Sequence, residues 1–167
     1  MDVLKLVKHS EATSEDINQV IAVKQKAWPY PLESQKKWIE ENLSPEDIHV
    51  FLMDNEECTA YLNLVKIQVD INDQLFAGFG IGNVCACIKG RGFGNELMRL
   101  TNNYLEANNK IGLLFCHTPL IKFYSRHNWI LLSSDKCNEP VLKDGIHAMT
   151  YNAPAIVKSL KYKGKLF

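Results

Sequence analysis

Between Val84 and Met98 an apolar segment with strand-forming ends runs into three alternate glycines, Gly90, Gly92 and Gly94, and a strongly periodic helix starts at once. Few local structures accommodate that order. Losing the Cβ at every second position lets backbone N–H groups turn inward together. The first turn of the following helix adds N–H groups with no intrahelical acceptor. Lys89 and Arg91 place positive charge beside them. The run Lys89, Gly90, Arg91, Gly92, Phe93, Gly94, Asn95 thus reads as a strand–turn–helix suited to a pyrophosphate. The plainer alternative is an ordinary tight turn.

Two common phosphate loops are excluded by spacing. The Walker pattern requires Gly, four residues and Gly-Lys-Ser/Thr, which the chain lacks here. The dinucleotide fingerprint G-x-G-x-x-G fails because Phe93, Gly94 and Asn95 follow Gly90-Arg91-Gly92. What fits is [Gln/Arg]-x-x-Gly-x-Gly/Ala, with Lys89 in the first place, then Gly92 and Gly94. The segment resembles the acetyl-CoA signature of the GCN5-related N-acetyltransferases, the GNAT superfamily. It departs from that pattern in having Lys at 89 and Ala86 where proline is common.

A second stretch strengthens the resemblance. After the apolar strand Ile111–Cys116 comes His117-Thr118-Pro119-Leu120-Ile121-Lys122-Phe123-Tyr124-Ser125-Arg126-His127-Asn128-Trp129. Thr118 suits a helix N-cap, Pro119 a first helical turn, and Asn128 the left-handed residue that ends a helix. This is similar to the family motif N-x-x-A-x-x-L-Y-x-x-x-G-F. His117 takes the Asn place, Phe123-Tyr124 the Leu-Tyr place and Asn128-Trp129 the Gly-Phe place.

The remaining chain reads as an alternation of short elements. A first strand spans Val3–Val7, and Ser14 can cap a helix over Asp16–Trp28, ended by Trp28-Pro29. A shorter helix is expected over Ser34–Leu43. Strands follow over Ile48–Met53, Thr59–Val69 and Leu75–Ile88, with turns at Asp54–Glu57 and Asn72-Asp73. Alternate glycines Gly78, Gly80 and Gly82 in the last of these suggest a bulge or a close approach to its backbone. The glycine helix runs to about Asn109, a strand covers Trp129–Leu132, an irregular polar stretch leads to Gly145, and His147–Tyr151 is a final strand.

Pattern alone gives mixed α and β. The resemblance implies the fuller architecture: an α+β sandwich with a mixed, mostly antiparallel central sheet flanked by helices, and a splayed pair of strands forming the CoA cleft. At 167 residues the chain is expected to be a single domain, its core about residues 3–152 and its end a basic tail over residues 153–167 with Lys158, Lys161, Lys163 and Lys165.

Net charge is zero, so no pull toward nucleic acid or an anionic membrane surface is expected. No run approaches a membrane span and the first residues show no apolar leader, which points to a cytoplasmic protein. The five cysteines, Cys58, Cys85, Cys87, Cys116 and Cys137, read as small reduced core residues, and no metal is expected. A site from Cys85, Cys87, Cys116 and His117 would match no common zinc spacing.

Acetyl transfer from a thioester to an amine needs a polarised carbonyl, a neutral amine and a proton for the leaving thiolate. The resemblance implies acetyl-CoA as donor, held along Gly82, Asn83 and Val84 and on the turn from Lys89 to Asn95. It implies Tyr124 as the acid that protonates the thiolate; the alternative is an aromatic on a core-facing helix. The strand before the glycines offers Gly80, Ile81, Gly82 and Asn83 but no glutamate, so the general base stays open among His117, His147 and Asp144. His117 is equally readable as a polar residue bonded to backbone or to CoA. The acceptor, a primary amine of a small molecule or peptide, would meet Trp28, Tyr30 and Trp38 with Glu40, Glu41, Glu46 and Asp47 nearby. The bland reading of that group is a core anchor and a solvated helix face. A homodimer is compatible with this picture. A looser similarity links the C-terminal half to aminoglycoside 2′-N-acetyltransferases. The rival function is the same fold without activity, as a CoA-binding or protein-interaction module.

Overall fold

The computed structural model describes residues 2–137 and 143–164; Lys165 and part of the polar stretch before Gly145 lie outside the described residues. Eight strands and four helices are present: β1 Asp2–Lys8, α1 Ser14–Ala27, α2 Leu32–Asn42, β2 Ile48–Asp54, β3 Glu57–Ile71, β4 Gln74–Ala86, α3 Phe93–Ala107, β5 Ile111–His117, α4 Ile121–Ser125, β6 Ile130–Leu131, β7 Ile146–Tyr151 and β8 Leu160–Lys163. The strand order is β1-β2-β3-β4-β5-β7-β6, with β8 on β3. Only the β4–β5 pair is described as parallel, so the mixed, mostly antiparallel sheet expected from the family is what forms.

The chain divides into two compact units, one built from the residues up to Val65 and from Gly82 to Leu100, the other from Lys66–Ile81 and from Thr101 onward. β3, β4 and α3 each contribute to both.

In the first unit, β1, β2 and β3 pair antiparallel, with Leu4 opposite Leu52 and His49 opposite Asn63. Its core includes Val20, Ile21, Val50, Leu52, Leu62, Leu97 and Met98, all almost wholly buried. The N-cap of α1 is Thr13 rather than Ser14. Asp16 decides this: Thr13 Oγ1 accepts from the Asp16 N–H at 3.2 Å and the Asp16 carboxylate accepts from the Thr13 N–H at 2.9 Å. This reciprocal box satisfies two N–H groups at once. The same carboxylate takes the Lys5 ammonium at 2.5 Å, and the Lys5 and Thr13 contacts outweigh its burial to lower its pKa.

In the second unit, β4 pairs with β5 over Gly78–Gly80 against Ile111–Leu113, and β5 pairs antiparallel with β7 from Gly112–Tyr151 to His117–Ile146. The Asn72-Asp73 hairpin turn has two left-handed residues, φ 54° and 65°, which is the twist two-residue hairpins favour. The residues after Tyr151 do not stay a tail. Leu160–Lys163 pairs with Gln68–Ile71, and the Asn72 side chain ties down Ile156, Lys158 and Ser159. Four residues alternating with lysines are too short a pattern to announce a strand.

Trp129 anchors this unit. It is 1% exposed, its ring stacks on Tyr151 at 5.6 Å, and its Nε1 donates to Asn102 Oδ1 at 3.0 Å. Asn102 in turn donates to the His127 carbonyl at 2.8 Å. Room for the indole comes from Gly112, where a Cβ would lie 2.5 Å from Trp129 Cη2. Gly112→Ala should therefore lower stability by about 1–3 kcal/mol through overpacking, read as a lower urea midpoint with an unchanged m-value.

Candidate active site

Inside β4, Asn83 has φ 55°, a left-handed residue in the middle of an extended strand. Asparagine tolerates that conformation better than other side chains. Its Nδ2 donates to Asn63 Oδ1 at 2.7 Å, which fixes the kink. Three residues further on, Ala86 ends the strand, and the Cys87 N–H still reaches the Thr59 carbonyl at 2.9 Å. The turn then opens. Gly90 and Gly92 have φ 78° and 83°, and a Cβ on either would touch nothing within 4 Å. Glycine is needed there for backbone conformation, not for packing. Gly94 differs, since α3 begins at Phe93 and takes Gly94 into its first turn.

The Glu96 N–H closes that first turn on the Gly92 carbonyl at 3.0 Å. Its carboxylate is taken by Arg99 through two contacts of 2.9 and 2.6 Å, and this guanidinium holds the carboxyl below its usual value. Lys89 and Arg91 remain exposed on the turn. The residues Gly82, Asn83, Val84 and Lys89 to Asn95 therefore form one continuous stretch of the first unit, cationic at its glycine turn.

The other candidates belong to the second unit. Tyr124 lies on α4, 6% exposed, edge-on to Phe123 at 5.0 Å. Burial and the nearby Cys116 thiol push its phenol well above its usual pKa, so it carries its proton at neutral pH. Asn128 is left-handed at φ 63°, as the motif requires. Thr118 does not act as an N-cap; its hydroxyl lies 2.9 Å from His147 Nε2. His117 is exposed at the end of β5, and Asp144 is exposed in a turn before β7.

The expected acceptor aromatics are not equivalent. Trp28 and Tyr30 are 36% and 63% exposed. Trp38 is half-buried and stacks on the ammonium of Lys24, 4.3 Å from its ring centre. The acidic residues are partly engaged: Glu41 with Lys37 at 3.7 Å, Glu46 with Lys8 at 3.4 Å, and Asp47, 3% exposed, with the Ser44 N–H at 2.8 Å.

Burial pushes the thiols of Cys58 and Cys85 up to about 12, so neither is a thiolate nucleophile. Among the described residues no group of three His, Cys, Asp or Glu side chains is placed to hold a metal ion, and no helix is long and apolar enough to cross a membrane.

His9, His49, Tyr61 and Asn63 lie outside the residues that the sequence motifs single out. His49 on β2 is fully buried, with Nε2 3.0 Å from His9 Nδ1 and Nδ1 2.7 Å from the Tyr61 hydroxyl. Burial above all, then the neighbouring His9, lowers its pKa to about 4. A single histidine in an apolar strand was the available signal; its partners come from two other segments.

Comparison with known proteins places this geometry. A family model described as "Acetyltransferase (GNAT) domain" matches residues 8–132. Among solved structures, Escherichia coli ElaA is similar at 18% identity and TM-score 0.62, covering 90% of this chain and 99% of its own. The PaiA N-acetyltransferase of Thermoplasma acidophilum, in complex with coenzyme A, has 13% identity and TM-score 0.57, with 89% and 98% covered. An aminoglycoside 6′-N-acetyltransferase complexed with coenzyme A has 12% identity and TM-score 0.63, with 91% and 99% covered. No curated protein sequence matches.

The buried His49 has a consequence for pH dependence. An unfolded histidine titrates near 6.5, whereas folded His49 titrates at about 4. The neutral form is thus the folded form, and its contribution is complete above the unfolded value. It is lost as pH falls from about 6.5 toward 4. The loss of unfolding free energy between about pH 7 and pH 4.5 should be about 2 kcal/mol smaller in His49→Gln than in the unsubstituted protein, measured by urea titration at both pH values.

Proposed function

This chain belongs to the GNAT acetyltransferase family, and from that premise we propose that it moves an acetyl group from acetyl-CoA to a primary amine of a small molecule or peptide, by direct attack in a ternary complex in the cytoplasm. The observation that carries the donor assignment is the left-handed pair Gly90 and Gly92 leading straight into α3. Two such residues turn successive N–H groups to one side, and the helix start presents further donors in the same place. With Lys89 and Arg91 exposed beside them, the pyrophosphate of CoA is the fitting guest. Two structural neighbours that are complexed with coenzyme A support the same choice.

The backbone at Gly82, Asn83 and Val84, kinked at Asn83, would pair with the pantetheine arm, and the N–H near Val84 would polarise the thioester oxygen. Such a donor is backbone, so it does not depend on side-chain identity. Tyr124 would supply the proton to the departing CoA thiolate. Its raised pKa suits a donor, because the phenol is fully protonated across the physiological range. The chain itself supplies no covalent nucleophile in this scheme; the amine attacks directly.

One observation favours the inactive reading: β4 carries no carboxylate near the kink, where Gly80, Ile81, Gly82 and Asn83 stand. Binding and turnover together separate the two. Acetyl-CoA and CoA, but not ATP, should raise thermal stability, by about 2.7 kcal/mol at a hundredfold excess over Kd. Gly92→Ala should weaken that shift, since the added Cβ strains a left-handed residue. Tyr124→Phe should keep the KM for acetyl-CoA and lower kcat by about a hundredfold. A clear acetyl-CoA shift with no amine turned over would leave the binding module as the function.

A further inference from the structure

Part of the first unit's interior is polar, and no step above uses it. His49 bridges two groups, with Nε2 3.0 Å from His9 Nδ1 and Nδ1 2.7 Å from the Tyr61 hydroxyl. Tyr61 is 1% exposed, whereas His9, in the short 3₁₀ turn after β1, is half-exposed. Two residues along β3 from Tyr61, hence on the same face of the strand, stands Asn63. It is fully buried, its Oδ1 accepts from Asn83, and its Nδ2 has no hydrogen-bond partner. Asn83 is half-exposed at the kink of β4. Two hydrogen-bonded runs therefore lie in this unit, Asn83–Asn63 at the kink of β4 and Tyr61–His49–His9 leading to the half-exposed His9, with Asn63 and Tyr61 two residues apart on β3.

A buried amide N–H without an acceptor is costly, and such groups in native proteins mark an unseen water or a functional role. A water on Asn63 Nδ2 would satisfy it, on the face of β3 that also carries Tyr61. We propose that these runs are the exit route for the proton released by the acceptor amine, with a water on Asn63 feeding Tyr61, His49 and His9 in turn. The inference rests on the acetyltransferase reading above.

The proton balance closes. As the N–C bond forms and the C–S bond breaks, the amine's surplus proton passes to the water. The water gives a proton to Tyr61 Oη while the Tyr61 hydroxyl proton moves to His49 Nδ1. The His49 Nε2 proton moves to His9 Nδ1, and His9 releases its Nε2 proton to solvent. Each group of the relay ends neutral, with both imidazoles in the other tautomer, and Tyr124, having protonated the thiolate, takes one proton back from solvent. His49 suits a relay better than a store. Burial, His9 from the 3₁₀ turn and Lys24 from α1 disfavour its charged form, and Asp16 from α1 offsets them only in part. Asn63 and Tyr61 act through water and through each other, so they are positioning and relay residues.

The test uses the full chain with acetyl-CoA and three acceptors: spermidine, tyramine and an alanine-terminated tripeptide. Single-turnover rates are measured in H₂O/D₂O mixtures for the unsubstituted protein, Tyr61→Phe and His9→Ala. Both variants should lose at least about tenfold in rate with acetyl-CoA affinity unchanged. The curved proton inventory of the unsubstituted protein should become linear in Tyr61→Phe, and added imidazole should restore part of the His9→Ala rate. A purely structural role would move neither the inventory nor the rescue. An unchanged rate and inventory in folded Tyr61→Phe, with the unsubstituted protein active, overturns the relay and leaves the acetyltransferase reading standing. Should Tyr61→Phe not fold, His9→Ala with an unchanged rate overturns it in the same way. Failure of the unsubstituted protein to bind acetyl-CoA, or to turn over any of the three amines, overturns both.

Discussion

A left-handed residue inside a strand is the constraint on which the first unit's site depends. Extended strands want φ near −120°, yet Asn83 sits at φ 55° in β4. A non-glycine residue holds that conformation only where its surroundings compensate. Here the compensation is one hydrogen bond, 2.7 Å from Asn83 Nδ2 to Asn63 Oδ1. The kink breaks the regular pleat just before Val84. The same amide pair leaves Asn63 Nδ2 without an acceptor deep in the unit. One interaction thus sets both the shape of the donor strand and the polarity behind it.

The glycine turn works by a different economy. Gly90 and Gly92 are required by their positive φ and by nothing around them, since their missing Cβ atoms face open space. Gly112 is the opposite case. Its backbone needs no special conformation, but Trp129 occupies the volume a Cβ would take. That indole, held through Asn102, follows directly on the left-handed Asn128 that comes after α4, the helix of Tyr124. Glycine therefore serves backbone conformation in the first unit and packing in the second.

Among the buried titratable groups, Asp16 keeps its charge through Lys5, whereas several others favour the neutral form. The Cys58 and Cys85 thiols, the Tyr61 and Tyr124 phenols and the His49 imidazole are all shifted toward their uncharged forms, and burial is the leading cause in each. Even Lys24 is lowered by burial beneath Trp38.

The order of elements, the glycine turn and the Phe123–Trp129 motif were legible in the residues, because each rests on local rules. Proline and asparagine restrict their own backbone, glycine frees it, and a helix declares itself by a period of 3.6. The N-cap was misplaced by one residue because Ser14 and Thr13 are equally good caps, and only the reach of Asp16 chooses between them. β8 was missed because four residues carry too little pattern, and its partner lies some ninety positions earlier in the chain. The His9–His49–Tyr61 line was invisible for the same reason: three polar side chains from separate segments form a chain of hydrogen bonds only once β2 and β3 are in register. The sequence by itself determined where the backbone could bend and where a phosphate could sit, since those depend on neighbours along the chain. Which buried polar groups meet, and hence where a proton can travel, was decided by tertiary structure, because hydrogen bonds between strands act across distances that no sequence spacing encodes.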